Sequence, residues 1–286
     1  MSLNTASRNG QIDIVKSLIL KGIDINKTDR LKRNALHYAT ERGHKEIVEL
    51  LIEHEIDINH VDKLEHNALH LASVFDRKDI AELLLEKGIN AYQQTKNGKC
   101  ALHLASFYGH IEMVKLLIEK GIDINRHCKD GDSALHWASE EGNKDIVELL
   151  IEKGIDINQK DKYQKNALNW ASRSGQTEIV ELLIKKGIDV KQKDIWERNC
   201  LHWASIMGHE EIVKLLIEKG IDVNSKDCYG YNALQLAMTS KCKNKEIIEL
   251  LKKEMKSSLS LRFKKNRKTS WMSSLLDLVS FSRDFS

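Results

Sequence analysis

Apolar and polar residues alternate along this chain with the spacing of short amphipathic helices, and the segment that begins at Asn34 shows the pattern clearly. Leu36 and Ala39 lie three residues apart behind Asn34, which predicts a capped helix of about nine residues with one buried face. Gly43 ends the pattern, because glycine readily adopts the left-handed conformation in which helices terminate. Residues 46–53 then set glutamates between apolar pairs and predict a second amphipathic helix.

The same pair of helices recurs every 33 residues. Between the pairs, a segment such as 56–59 alternates apolar and polar residues and predicts an extended arm with a polar tip. The tripeptide Ala-Leu-His, or a close variant, marks the start of each first helix. It begins at Ala35, Ala68, Ala101, Ala134, Ala167, Cys200 and Ala233. Leu3 and Ala6 hold the same phase one step earlier, so the chain opens inside an eighth, truncated unit.

A 33-residue unit of two helices and an arm, carrying Asn-Ala-Leu-His-x-Ala, closely resembles the ankyrin repeat. The resemblance covers residues 1–255 and implies an all-α repeat protein: an α-solenoid of about eight helix-turn-helix units with projecting β-hairpin-like arms. The usual family motif has Thr-Pro where this chain has Asn-Ala, and the chain contains no proline. Asparagine caps a helix as well as threonine does, and alanine is the best helix former. We therefore expect one elongated stack over residues 1–255 and a tail over 256–286.

Two positions depart from the glycines of the repeat. Glu55 and Asp76 stand where the corresponding residue of other units is glycine. If the backbone keeps the left-handed conformation at these positions, each side chain should cost about 1 kcal/mol of stability.

The charge of the chain is unevenly distributed. The formal net charge is +3, and residues 257–286 carry six Lys/Arg against two Asp, or +4, which leaves the repeats near -1. That balance disfavours nucleic-acid binding by the repeats. The sequence has neither a signal peptide nor an apolar run of membrane-spanning length. We expect a cytoplasmic monomer, neither secreted nor transmembrane, with a nuclear location also open and membrane contact only through the tail.

Motifs for catalysis or metal binding are absent from the sequence, and its five cysteines form no C-x-x-C pair. We therefore predict no enzyme activity, no cofactor, no metal and no small-molecule substrate. The resemblance implies that five histidines at one phase hydrogen-bond between neighbouring repeats. They are His37, His70, His103, His136 and His202. Trp137, Trp170 and Trp203 fall on the inward face of the first helices and are interpreted as core residues.

The stack is expected to bind one or more proteins or peptides along a concave surface. Four or five positions per repeat vary while the frame stays fixed, and exposed aromatic residues at such positions are typical of interface hot spots. The candidate partner-binding residues are Leu64, Phe75, Phe107, Tyr108, Asp130, Asp132, Glu140, Glu141, Tyr163, Trp196, Ile206, Met207, Tyr229 and Tyr231. The predicted anchors among them are Phe75, Phe107, Tyr108, Trp196 and Met207. A basic part of the ligand is expected near Glu140 and Glu141, and the alternative is that some rings pack sideways against neighbouring arms.

The tail contains a basic cluster, followed by residues 271–279, which could form a short amphipathic helix. The cluster consists of Lys264, Lys265, Arg267 and Lys268. It resembles a nuclear-import signal and could equally bind anions. Two alternatives to a protein-binding adaptor therefore stay open: tail-mediated binding to an anionic membrane or a nucleic acid, and a substrate-targeting subunit of an enzyme assembly.

Overall fold

The computed structural model describes residues 1–257 of the chain. These residues belong to two compact units, 1–192 and 193–286, and the second is described as far as residue 257. Each unit is built from pairs of short helices that follow one another along the chain. The part of the protein that the structure describes contains sixteen helices, as the 33-residue period predicts.

The first unit contains six helix pairs. Its first helices are α1 (Leu3–Arg8), α3 (Ala35–Arg42), α5 (Ala68–Val74), α7 (Ala101–Tyr108), α9 (Ala134–Glu141) and α11 (Ala167–Ser174). Its second helices are α2 (Ile12–Leu20), α4 (Lys45–Glu53), α6 (Lys78–Glu86), α8 (Ile111–Glu119), α10 (Lys144–Glu152) and α12 (Thr177–Lys185). From α1 to α11, successive first helices of this unit pack on one another, and each packs on its own second helix, so the two kinds of helix form separate layers. We call the exposed side of the first-helix layer the inner-helix face.

The second unit contains two further pairs. They are α13 (Cys200–Met207) with α14 (Glu210–Glu218), and α15 (Ala233–Thr239) with α16, which spans 245–257 in the described chain. In this unit, α13 packs on both α14 and α15. The unit therefore repeats the arrangement of the first, and the fold is all-α.

Each first helix begins at the predicted cap. In α3 the Asn34 side chain accepts the backbone N–H of His37 (3.3 Å), and His37 Nδ1 accepts the backbone N–H of Asn34 (3.4 Å). The helix ends at Gly43, whose φ of 78° is the left-handed conformation predicted for it. Local sequence signals thus fix both ends of the helix.

The recurring histidines join neighbouring repeats. His37 Nε2 donates to the carbonyl of His66 (3.0 Å), and His136 Nε2 donates to that of Lys165 (3.1 Å). His70 makes the same contact with Lys99, whereas His103 and His202 donate to an earlier carbonyl of the following turn, that of Arg126 or Ser225. The predicted role of these side chains is confirmed.

The apolar phase of the repeat forms the core between the two helix layers. In the repeat of α3 and α4, Leu36, Ala39, Ile47 and Leu51 are at most 2% exposed. Because each repeat buries this face only against its neighbours and its own second helix, the core runs along the helix layers.

Short turns occupy the places where projecting β-hairpin arms were expected. Residues 56–59 alternate in burial as predicted, but they form a turn, and His60 N–H donates to the Asp57 carbonyl (3.2 Å). Within residues 1–257, the only β-pairings are two isolated bridges, and no strand is formed. The hairpin part of the prediction is therefore not confirmed.

An aspartate organises most of these turns. Asp62 Oδ1 accepts the backbone N–H groups of Leu64 (2.8 Å) and His66 (3.0 Å). Neighbouring turns are joined by backbone bonds, as where Lys63 N–H donates to the Leu31 carbonyl (2.8 Å). The turns thus stack beside the inner-helix face and carry several of the variable residues.

Glu55 and Asp76 adopt the strained conformation that the sequence predicts, with φ of 60° and 52°. We expect Glu55→Gly and Asp76→Gly each to raise the free energy of unfolding by about 1 kcal/mol, because glycine relieves the left-handed strain and offsets part of that gain with its own chain entropy. Urea denaturation followed by circular dichroism measures the change. Glu53→Gly, at an exposed helical position, is the matched control and should destabilise the protein. Unchanged or lower stability in both left-handed variants would contradict this account.

Candidate partner-binding surface

Several candidate residues of the first unit are exposed as predicted. Leu64 lies on the stacked turns, and Phe75 and Tyr108 lie at the ends of α5 and α7. The exposed fractions of Phe75 and Tyr108 are 41% and 49%, which is large for aromatic side chains. The other exposed candidates of this unit are Asp130, Glu141 and Tyr163. These side chains are accessible to a partner on the inner-helix face and its turns.

Three candidates of the first unit are less accessible than the sequence suggested. Asp132 is buried, and its Oδ2 accepts the thiol of Cys128 (3.2 Å). Phe107 and Glu140 are half-buried. The expectation of an exposed arm-tip acid was therefore wrong for Asp132. The ring of Phe107 faces solvent only in part, because Trp137 and Tyr108 pack against it.

Trp137 and Trp170 are not core residues, contrary to the sequence interpretation. Both are half-exposed on the inner-helix face. Trp137 makes edge contacts with Phe107 (ring centroids 5.6 Å apart) and Trp170 (5.4 Å), and Phe107 contacts Tyr108 (5.0 Å). We call these four side chains, which span three neighbouring repeats, the aromatic ladder. Buried leucines occupy the phase of Trp137 in the two preceding repeats, at Leu71 and Leu104.

The polar atoms of the residues at this phase are anchored by the turn aspartates. Trp170 Nε1 donates to Asp161 Oδ2 (3.0 Å), and the Tyr38 hydroxyl donates to Asp29 Oδ2 (2.5 Å). Trp137 differs, because Cys128 occupies the corresponding turn position and Trp137 Nε1 is buried without a hydrogen-bond partner. The centre of the ladder thus lacks the acceptor that its neighbours have.

Lys99 covers one side of the ladder. Its ammonium lies 3.6 Å from the ring centroid of Trp137 and 5.3 Å from that of Phe107. Partial burial lowers the pKa of Lys99, and the negative charges of Asp132 and Glu140 partly offset that effect. Within residues 1–257, Lys99 forms no ion pair with a carboxylate. Its main close electrostatic contact is therefore the aromatic one.

The negative charges of the acids beside the ladder are only partly balanced by nearby cations. Burial raises the pKa of Asp132, and the nearby carboxylates of Asp161 and Asp130 raise it further. Burial also raises the pKa of Glu140, whereas the positive charges of Arg173 and Lys99 lower it. A raised carboxyl pKa means that the site disfavours the negative charge. An additional cation at this place would therefore be stabilised.

The candidates of the second unit form a separate group. Trp196 and Ile206 are half-buried, and Trp196 makes an edge contact with Trp203 (6.4 Å), so Trp196 is not the fully solvent-facing ring that was expected. Trp203 is itself half-exposed, and the prediction that it belongs to the core was wrong. The exposed candidates of this unit are Met207, Tyr229 and Tyr231.

The sequence contained one signal for this surface that was missed, at the repeat position of Trp137. Tyr38, Trp137, Trp170 and Trp203 replace leucine at a position where the leucines are buried. A larger ring at a leucine-sized position extends beyond the core, so the replacement itself points to the surface.

The predicted basic cluster at 264–268 and the predicted helix at 271–279 lie outside the described residues. Within residues 1–257, no helix combines the length and apolar character needed to span a membrane. In the same part of the chain, no three His, Cys, Asp or Glu side chains are grouped as a metal site would require.

Helix pairs of constant length, stacked through short turns and carrying their variable residues on one face, define a helical repeat protein. A model of the family described as "Ankyrin repeats (3 copies)" matches residues 3–95, 88–161, 127–194 and 168–260. The chain belongs to the ankyrin-repeat family. Ankyrin repeats are general protein–protein interaction modules, and the family is typically non-catalytic. A comparison with curated proteins finds no match to this chain.

Proposed function

We propose that this protein is a non-catalytic adaptor that binds a protein or peptide through the inner-helix face of its repeats. The aromatic ladder carries the proposal. The fold does not require an aromatic ring at the Trp137 position, since buried leucines fill the same phase in the two preceding repeats. Half-exposed aromatic side chains in contact with one another resemble the clustered hot spots of protein interfaces.

A photocrosslinking experiment in cells tests which face is used. A photoreactive phenylalanine analogue is placed at Tyr108 on the inner-helix face or, as a control, at Glu119, which is exposed on the second helix of the same repeat. We expect Tyr108 to give a crosslink to a defined protein and Glu119 to give none to that protein. Equal crosslinking from both positions would contradict the proposed surface.

The ladder and the second unit are then tested by substitution. We expect Phe107→Ala to weaken binding of the crosslinked partner about tenfold or more, because Phe107 supports Trp137 and Tyr108. Trp196→Ala, measured alone and together with Phe107→Ala, shows whether the second unit contributes. Circular dichroism controls for folding, and unchanged affinity in a folded double variant would overturn the proposed surface.

A further inference from the structure

The Trp137 ring already holds an ammonium group in the free chain. Lys99 Nζ lies 3.6 Å from the ring centroid, well inside the roughly 6 Å over which cation–π attraction is significant. The same ammonium lies 5.3 Å from the ring centroid of Phe107. The structure therefore shows that a positively charged side chain fits this part of the ladder.

Lys99 is weakly fixed in that position. Its ammonium is partly desolvated, and within the described chain no carboxylate pairs with it directly. The Lys99 side chain reaches the ring from the turn between α6 and α7. Because lysine side chains have many rotamers, its ammonium can move away from the ring. A cation supplied by another molecule can replace this one without breaking an ion pair.

The surrounding charge favours a cation over other groups. Asp132 and Glu140 are desolvated acids whose negative charges act on the Lys99 ammonium, and Glu141 adds an exposed carboxylate on the same helix as Glu140. The positive charges of Arg173 and Lys99 lower the pKa of Glu140, but burial still leaves it raised. An apolar ligand group would bury these acids further without compensation, and an acidic group would be repelled.

Resting on the proposed function, we infer that the partner of the inner-helix face presents a lysine or arginine side chain that displaces Lys99 from Trp137. The incoming cation lies over the Trp137 ring and beside the Glu140 carboxylate. We call this position the cation seat, and the rings of Phe107 and Trp170 lie on its two sides. The partner segment is therefore basic at this position.

Random peptides provide the probe, since the partner is not needed in advance. Twelve-residue random peptides displayed on phage are selected on the full chain, and the selected sequences are synthesised with a fluorescent label. We expect a lysine or arginine at one fixed position, and replacement of that residue by glutamine to weaken binding about tenfold in fluorescence anisotropy. Selection of peptides without a basic residue would overturn the inference.

Three variants locate the cation seat. Trp137→Leu introduces the residue that the two preceding repeats carry at this phase, and Glu140→Gln removes the charge while keeping the shape. Each should weaken binding of the basic peptide about tenfold while leaving the glutamine peptide unaffected. Glu119→Gln, on the other helix layer, is the matched control and should change neither. If the basic peptide binds Trp137→Leu and Glu140→Gln as tightly as the original chain, the seat is elsewhere and the inference fails.

Lys99→Met distinguishes displacement from simple proximity. If the partner cation takes the position of Lys99, removing the Lys99 charge should tighten binding of the basic peptide several-fold, because no competing ammonium has to leave. Equal or weaker binding would contradict displacement.

The selection also separates this inference from the proposed function. Peptides that lack a basic residue but lose binding in Phe107→Ala would leave the inner-helix face as the binding surface and overturn only the cation seat. Selected peptides that bind regardless of Phe107, Trp137 and Glu140 would overturn both.

Discussion

We expect the free energy of unfolding of this protein to fall steeply as the pH is lowered from 6.5 to 4. The cause is the set of five histidines that join neighbouring repeats, because burial lowers the pKa of each from 6.5 to about 4. Each ring is about 1% exposed and is hydrogen-bonded in its neutral form. Protonation therefore has to break a contact between repeats or charge a buried ring.

The direction follows from proton binding. In the unfolded chain these histidines protonate near 6.5, whereas in the folded chain they stay neutral to about pH 4. The unfolded state binds more protons between these values, so stability is fully present above pH 6.5 and is lost as the pH falls toward 4. A shift of this size corresponds to about 3 kcal/mol for each histidine.

Carboxyl groups also change the stability of the folded chain with pH, some in the same direction as the histidines and some in the opposite direction. Lowered pKa values of Asp29, Asp62 and Asp227 stabilise the folded chain above their ordinary pKa, and that contribution is lost at still lower pH. The raised pKa values of Asp132 and Glu140 oppose the histidines, because protonating these acids relieves their burial. Histidine variants are needed to isolate the histidine effect.

Urea denaturation at pH 7, 5.5 and 4.5 measures the pH dependence of stability. The repeat that contains Asn169 shows which substitution to make. Asparagine occupies the histidine position in that repeat, where its Oδ1 accepts the Asn166 N–H (3.2 Å). His103→Asn should reduce the loss of stability between pH 7 and 4.5 by about 2 to 3 kcal/mol. Equal pH dependence in His103→Asn and the original chain would contradict the assignment.

The helices could be predicted because their signals are local. Asn34, Gly43 and the apolar positions between them act within one repeat, and the structure has the predicted cap, helix and stop there. The extended arm was predicted for a related reason and is not confirmed. Residues 56–59 alternate in burial because Ile56 packs inward while Asp57 faces solvent, and a turn produces that alternation as readily as a strand does.

The candidate surface was predicted less well because it depends on pairs of repeats. Whether Phe107 is exposed depends on the size of Trp137 in the next repeat, and the cover over Trp137 comes from Lys99 in the turn before. Trp137 itself shares its phase with buried leucines, so the repeat pattern alone assigns it to the core. Contacts between variable positions do not recur with the period, and the sequence of one repeat contains no sign of them.

The turn between α8 and α9 is where we expect a double substitution to stabilise the chain. Four of the other turns carry an aspartate followed four residues later by a basic residue, as in Asp161 and Lys165, whereas this turn carries Cys128 and Asp132. Asp161 Oδ1 accepts two backbone N–H groups and its Oδ2 accepts the neighbouring indole. A thiol is a weak acceptor and cannot replace these bonds.

Cys128→Asp combined with Asp132→Lys should therefore raise the free energy of unfolding by about 2 to 3 kcal/mol. It gives the buried Trp137 Nε1 an acceptor, and it moves the buried carboxylate to the position where turn amides and an indole satisfy it, as they do for Asp161. Cys128→Asp alone should gain little, since Cys128 Sγ lies 3.2 Å from Asp132 Oδ2 and a carboxylate there would meet another. Urea denaturation of the double-mutant cycle gives the coupling, and Cys128→Ser is the control without a new charge. Additive single effects would contradict the pairing. The same double variant places a lysine beside Glu140, so weaker binding of the basic peptide by a more stable protein would show that this turn trades stability for recognition.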